Sequence, residues 1–148
     1  MTRRPTARCG MAAVELCLGA TVLLAAFFGT WEIGYTVIQY DRLLTNVAQA
    51  AHYAALIPYD SATDTPSSTF LTSVKNMVLY GAPTAGTTPV VSGLTAANVS
   101  LTVTFSSGIP STIQVSITGY TINALFGVYT LNGKPQVTFP YQGVWAPA

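Results

Sequence analysis

The sequence predicts an α+β fold: a long N-terminal helix, apolar in its first half and amphipathic in its second, packed on a small antiparallel sheet with one short extra helix. Three observations predict it. No proline interrupts the chain between Pro5 and Pro58, and apolar residues recur through that stretch at helical spacing. Beyond residue 98 the chain changes to a strict alternation of apolar and polar residues, the period of a half-buried strand. Between the two regimes lie segments rich in Gly, Pro, Ser and Thr, which punctuate rather than propagate regular structure. The length of 148 residues suits one modest domain with an appended element.

The long helix is expected over residues 11–57, with a transmembrane segment at about 12–33. Residues 12–31, AAVELCLGATVLLAAFFGTW, are apolar except for Glu15 and two threonines. Twenty residues at helical rise span roughly 30 Å, the thickness of a bilayer's hydrocarbon core. Trp31 and Tyr35 fall where interfacial aromatic residues collect. Arg3, Arg4 and Arg8 precede the run and only Arg42 follows at comparable distance, so the positive-inside bias holds the N-terminus in the cytoplasm. A cleaved secretory signal fits poorly, because Phe, Trp and Ile occupy the positions around AAFFGTWEIG where small residues are required. Cys9 in a reducing cytoplasmic tail and Cys17 in the apolar run make no plausible disulfide, and Cys17 reads as a small apolar helix residue.

Charge is scarce throughout. Only 7% of residues are charged, against about a quarter in an average domain. None lies between Glu15 and Glu32, and beyond Arg42 only Asp60, Asp64, Lys75 and Lys134 remain. A free soluble domain usually carries a well-charged surface. The composition instead fits a chain that is anchored, assembled, or both.

Past the apolar run, Ile33, Val37, Tyr40, Leu44, Val47, Ala51 and Ala54 form an a/d-type stripe on the second half of the helix. This is the expected helix-packing surface, against the chain's own sheet, partner helices, or both. Pairs of small residues, Ala25 with Gly29 and Thr30 with Gly34, have the spacing that lets membrane helices approach. Pro58 ends the helix by biasing Ile57 away from helical backbone.

Residues 58–148 are expected to form an α+β domain outside the cytoplasm. YDSATDTPSS reads as a solvated loop, since Asp60 and Asp64 are too few and wrongly spaced for a calcium loop. STFLTSVKNMVLYG predicts a short helix capped by Ser67 or Ser68, buried along Phe70, Val74, Met77 and Val78, and closed by Gly81. APTAGTTPVVSG is a linker. Val99, Leu101, Val103 and Phe105 then alternate with polar residues, as do Ile113, Val115 and Ile117, with SSGIPS between them as a hairpin turn. Asn132-Gly133 predicts a second tight turn, between GVYTL and KPQVTFPY. Three to four antiparallel strands result, and the stripe on the long helix is the natural cover for one face.

No catalytic chemistry is expected. His52 is the sole histidine and has no cysteine or second histidine at ligand spacing. No nucleophile motif, glycine-rich phosphate loop or Cys-x-x-Cys is present, so neither cofactor, metal nor small-molecule substrate is implied. Three arginines are too few for a nucleic-acid arm.

Glu15 remains to be explained, because a carboxylate in the middle of a bilayer costs ~3 kcal/mol on insertion scales. Its setting is informative: a short basic leader, Gly10, Met11, then Glu15 at the fifth position of an apolar helix. The sequence CG|MAAVE resembles a type IV prepilin signal. That resemblance implies removal of residues 1–10 by a prepilin peptidase cutting between Gly10 and Met11. It also implies that Glu15 pairs with a neighbouring subunit's N-terminal amine during assembly. Losing three of six basic residues would leave three against five acidic ones, taking the net charge from +1 to −2.

The stretch from Met11 to Leu56 is similar to the N-terminal region of TadE-like minor pseudopilins of Tad/Flp pilus systems. The shared features are the AAVE start, the apolar run, the WEIG exit and NVAQAAHYAA. Members commonly carry arginines in that last stretch, where Gln49 and His52 stand here. The resemblance is looser over GLTAANVSLTV and the closing strands. It implies a pilin-like helix-on-sheet plan and a single-pass protein of the bacterial inner membrane with its C-terminal domain periplasmic or extracytoplasmic. It further implies prepilin peptidase and other pilin subunits as partners, and a structural role in pilus assembly. The alternative reading is an unprocessed, membrane-anchored adhesion or binding module of the periplasm.

Overall fold

The computed structural model describes residues 7–124 and 127–147. Helix α1 runs unbroken over Ala7–Leu56 and stops two residues before Pro58. Helix α2 spans Ser68–Tyr80, and three strands follow: β1 Val99–Ser106, β2 Ile109–Asn123 and β3 Val128–Pro140. The strands form one antiparallel meander in the order β1-β2-β3. The chain is thus α+β, with a long helix and a short one packed on a three-stranded sheet.

Helix α2 obeys the local rules read from its sequence. Ser67 caps it, its Oγ accepting from the Phe70 amide at 3.1 Å, and Asp60 accepts in turn from the Ser67 hydroxyl at 2.7 Å. Gly81 closes it in the left-handed conformation, φ +71°, where its amide donates to Met77 O at 3.0 Å. Phe70, Val74 and Val78 are buried, Leu79 joins them, and Met77 is partly buried beside them.

The turn between β1 and β2 falls at Ser107 and Gly108, both with positive φ, within the predicted SSGIPS. Asn132-Gly133 does not make the second turn. It lies inside β3, where Asn132 to Gln136 faces only Thr118 to Ser116 on β2, so the intervening residues bulge out of the ladder. Opposite, Gly119 (φ +69°) is the extra residue on β2, and its amide donates to Asn132 Oδ1 at 3.2 Å. The bulge has a visible consequence on β2. Ile113, Val115 and Ile117 face the core before it, Tyr120 and Ile122 after it, so burial moves from odd to even positions. The phase change belongs to Gly119 on β2; on β3, Leu131 before the Asn132-Gly133 bulge and Val137 and Phe139 after it all pack toward the core, so that bulge leaves the buried face unchanged. The real β2–β3 connection lies between Asn123 and Val128, with the Ala124 amide donating to Gly127 O at 2.9 Å.

The core joins one face of the sheet to the last turns of α1, with α2 alongside. Leu43, Val47, Ala50, Ala51 and Ala54 are fully buried there, against Ile113, Val115 and Ile117 of the central strand and Val74 and Val78 of α2. The expected stripe divides here into a covered and an open part. Val47, Ala51 and Ala54 are buried, but Ile33, Val37, Tyr40 and Leu44 are 69%, 60%, 36% and 39% exposed. The sheet takes the line one residue earlier, running through Glu32, Gln39, Leu43, Asn46 and Ala50, about 100° around the helix. Followed up the helix, the covered line carries the polar residues Gln39 and Glu32.

The end of the sheet farthest from the apolar run is closed by a clamp around Tyr59. The Tyr59 amide donates to Val144 O at 3.0 Å and Ala146 returns a bond to Tyr59 O at 3.0 Å. Its ring packs edge-on against Phe70 and Phe105, at centroid distances of 5.1 and 5.9 Å. Tyr141 Oη lies 3.0 Å from Ile57 O and accepts from the Tyr59 amide at 2.8 Å. A Cβ on Gly143 would stand 2.5 Å from Ile57 O, so only glycine fits where the C-terminal segment crosses the end of α1.

Two outcomes follow from this packing. An aspartate at Leu43 places an unpaired charge at a fully buried position, a penalty of several kcal/mol against a total domain stability on the order of 5–15 kcal/mol. Leu43→Asp should therefore abolish the folded domain, while Leu44→Asp should cost about 1 kcal/mol or less. Limited proteolysis of the detergent-solubilised protein separates the two.

Burial raises the phenol of Tyr59, of Tyr120 and of Tyr141 above the ordinary value of 10.0. The folded chain then holds protons that the unfolded chain releases above pH ~10. Stability should be level below that pH and fall as pH rises through the folded values. Thermal unfolding measured from about pH 8 to about pH 11 checks this, and a flat midpoint would refute it.

Candidate processing and assembly site

Gly10, Met11 and Glu15 all lie on α1 and are exposed. A Cβ at Gly10 would meet nothing within 4 Å, so no packing among the described residues asks for glycine there. In a helix interior glycine costs roughly 0.5–1 kcal/mol relative to alanine. The same holds for Gly19, Gly29 and Gly34, which also have open space where a side chain would be.

Glu15 borders a shallow hollow on the helix surface, lined by Ala12, Leu16, Gly19, Ala20 and Leu23. Small residues one turn to either side, Ala12 and Gly19, leave its carboxylate approachable from outside the helix. The next cation along the described helix is Arg42, 27 residues on, or about 40 Å away. Along the helix on its C-terminal side, no cation stands nearer to Glu15 than that.

From Met11 to Ile38 almost every large apolar side chain is exposed: Leu18, Leu23, Phe27 and Trp31 are among them. The 47 residues from Gly10 to Leu56 form a helix long and apolar enough to cross a membrane, and none of its most apolar window is covered by the rest of the chain. The exposed face does not end with that window. Ile33, Val37, Tyr40 and Leu44 carry it two to three turns farther, alongside the domain rather than under it.

Sequence reasoning missed the line beside this face. Glu32, Gln39 and Asn46 are nearly buried between α1 and the sheet, and they recur every seven residues. That heptad spacing of polar side chains was the available signal for the sheet-facing line. Thr36 Oγ1 and Gln39 Oε1 are buried without a hydrogen-bond partner among the described residues. Near them a half-open hollow of about 170 Å³ is lined by Tyr35, Gln39, Ser92 and Tyr120. The Tyr120 hydroxyl donates to Ser92 O at 2.8 Å, and burial is the main cause of its raised phenol.

His52 is exposed and stacks edge-on with Phe139 at 5.5 Å. Among the described residues no three of His, Cys, Asp and Glu gather closely enough to hold a metal ion. Comparison with protein-family models, with curated proteins and with solved structures gives no match for this chain.

Proposed function

We propose that this chain is a pseudopilin-like structural subunit of a Tad/Flp-type pilus or its assembly machinery, cut by a prepilin peptidase between Gly10 and Met11. In this reading α1 anchors the subunit in the bacterial inner membrane, with the domain on the extracytoplasmic side. The subunit then joins other pilin subunits through α1. The observation that carries the reading is the apolar face of α1, continuous from Met11 to Leu44 and uncovered by the chain. Lipid can satisfy its first half. Its second half stands beside a folded domain, and a contiguous apolar patch there calls for a protein partner. The glycine at position 10, required by nothing among the described residues, supports recognition from outside, and an approachable Glu15 supports a counter-charge from a neighbour.

Gly10→Val tests processing in the native host. The expected result is a retained leader and a larger membrane-bound form. Identical mature N-termini in mutant and wild type, both beginning at residue 1 or 2, would sink the proposal in favour of an unprocessed anchored module. Glu15→Ala tests assembly. It removes a charge from the apolar segment, so insertion and cleavage should persist while surface pili and co-purified pilins decline. An ion pair in a low-dielectric setting is worth several-fold more than in water, so the decline should be large. Wild-type pili in the Glu15→Ala strain would leave Glu15 without a role.

A further inference from the structure

The β2–β3 hairpin ends beside the outer limit of the apolar run. Asn123 and Ala124, where β2 finishes, line one hollow with Phe28, Trp31, Glu32 and Tyr35. Tyr129, where β3 begins, lines another with Gly29, Glu32, Ile33 and Val37. The two arms of the hairpin therefore straddle the helix at Glu32. The bulges at Gly119 and Gly133 shape the sheet just before this point.

The hairpin is unusual for one that would face water. From Ser106 to Gly133 it carries no charged residue, although exposed hairpin ends and edges are normally charged to prevent association. Val128 and Tyr129 at its end are 65% and 54% exposed. They stand at the level of Phe28 and Trp31, themselves largely exposed on the helix.

We propose that Val128 and Tyr129, with Asn123 and Ala124 across from them, rest in the headgroup region of the same bilayer that α1 crosses, giving the domain a second lipid contact. The inference rests on the membrane-spanning reading of α1. If Ala12–Trp31 fills the ~30 Å hydrocarbon core, Phe28 to Tyr35 lie at its outer boundary, where Trp and Tyr are enriched. Tyr129 at the same level adds a ring from the sheet to the belt that Trp31 and Tyr35 form on the helix. The wet headgroup layer, unlike the hydrocarbon core, can satisfy the open backbone groups of a strand end. A hairpin without charge has no need of anionic lipid, so a neutral phosphatidylcholine surface suffices. Two contacts in place of one fix the rotation of α1 about its axis, and with it the direction in which Ile33, Val37, Tyr40 and Leu44 point.

The test uses the full chain in phosphatidylcholine vesicles, with Cys9→Ser and Cys17→Ser removing native thiols. Single cysteines at Val128, at Leu24 and at Ser106 carry an environment-sensitive fluorophore. Leu24 reports the apolar run, and Ser106 reports the opposite end of the sheet. We expect the Val128 label to be quenched by a headgroup spin-labelled lipid and to be several-fold less open to aqueous iodide than the Ser106 label. Leu24 should be quenched by a spin label deep in the acyl chain. If Val128 is as open to iodide as Ser106 while Leu24 stays in lipid, the hairpin contact is refuted and the spanning helix stands. A Leu24 label open to iodide overturns both. A Val128 label shielded from iodide yet untouched by spin-labelled lipid identifies a protein cover and refutes the lipid contact.

Discussion

The close approach of the sheet to the alanine-lined end of α1 is the contact on which the rest of the molecule depends. Ala50, Ala51 and Ala54 are fully buried and Ala55 nearly so, with Val47 and Leu43 above them. Alanine adds little bulk and loses no side-chain freedom, so the central strand can lie against the helix with few gaps. Larger residues would hold the sheet away and strain the packing. Once this contact is made, the azimuth of the domain on the helix is set for every turn above it. That is why the line through Leu43, Gln39 and Glu32 is covered and the line through Leu44, Tyr40, Val37 and Ile33 is left open.

One helix consequently serves three environments in series and in parallel. Its first half is apolar all round and uncovered, a form suited to lipid. Its last turns are buried in the domain core. Between them, one face meets the sheet through Glu32, Gln39 and Asn46 while the adjacent face stays apolar and open. Polar side chains at a packed seam contribute less than apolar ones and demand partners. The upper part of the helix–sheet contact is therefore weaker than the lower part, and a single polar line can fix register there. The clamp at the far end ties the C-terminal segment across the end of α1: the Gln142 amide donates to Ala55 O, the Tyr59 amide to Val144 O and the Ala146 amide to Tyr59 O.

The opposed bulges at Gly119 and Gly133 show how a sheet only three strands wide reaches both ends of its helix support. Without the phase change on β2, Tyr120 and Ile122 would point away from α1 and the hairpin would leave the helix. With it, the strand follows the helix to the level of Phe28 and Trp31. The hollow among Tyr35, Gln39 and Tyr120 lies along this same stretch, where the fit between strand and helix is looser.

The sequence by itself determined the elements. Continuous helical periodicity without proline, ended by Pro58, defined α1, whose observed end is Leu56. Ser67 and Gly81 bounded α2, and the alternation around Val103 and Val115 gave β1 and the first half of β2. These signals are local: capping, backbone stiffness and side-chain period act within a few residues. The glycine, methionine and glutamate of the proposed processing site are read from order along the chain alone. Only the tertiary structure decided which face of α1 the sheet covers. Two adjacent heptad lines were available, and from Glu32 to Leu44 the more polar one is covered while the more apolar one stays open, an outcome set by contacts distant in sequence that no helical period reports. Tertiary structure also decided that Asn132-Gly133 would bulge rather than turn, since β2 runs on past Thr118 to Asn123 and β3 stays paired with it on both sides of the bulge, a long-range pairing that no local propensity can report.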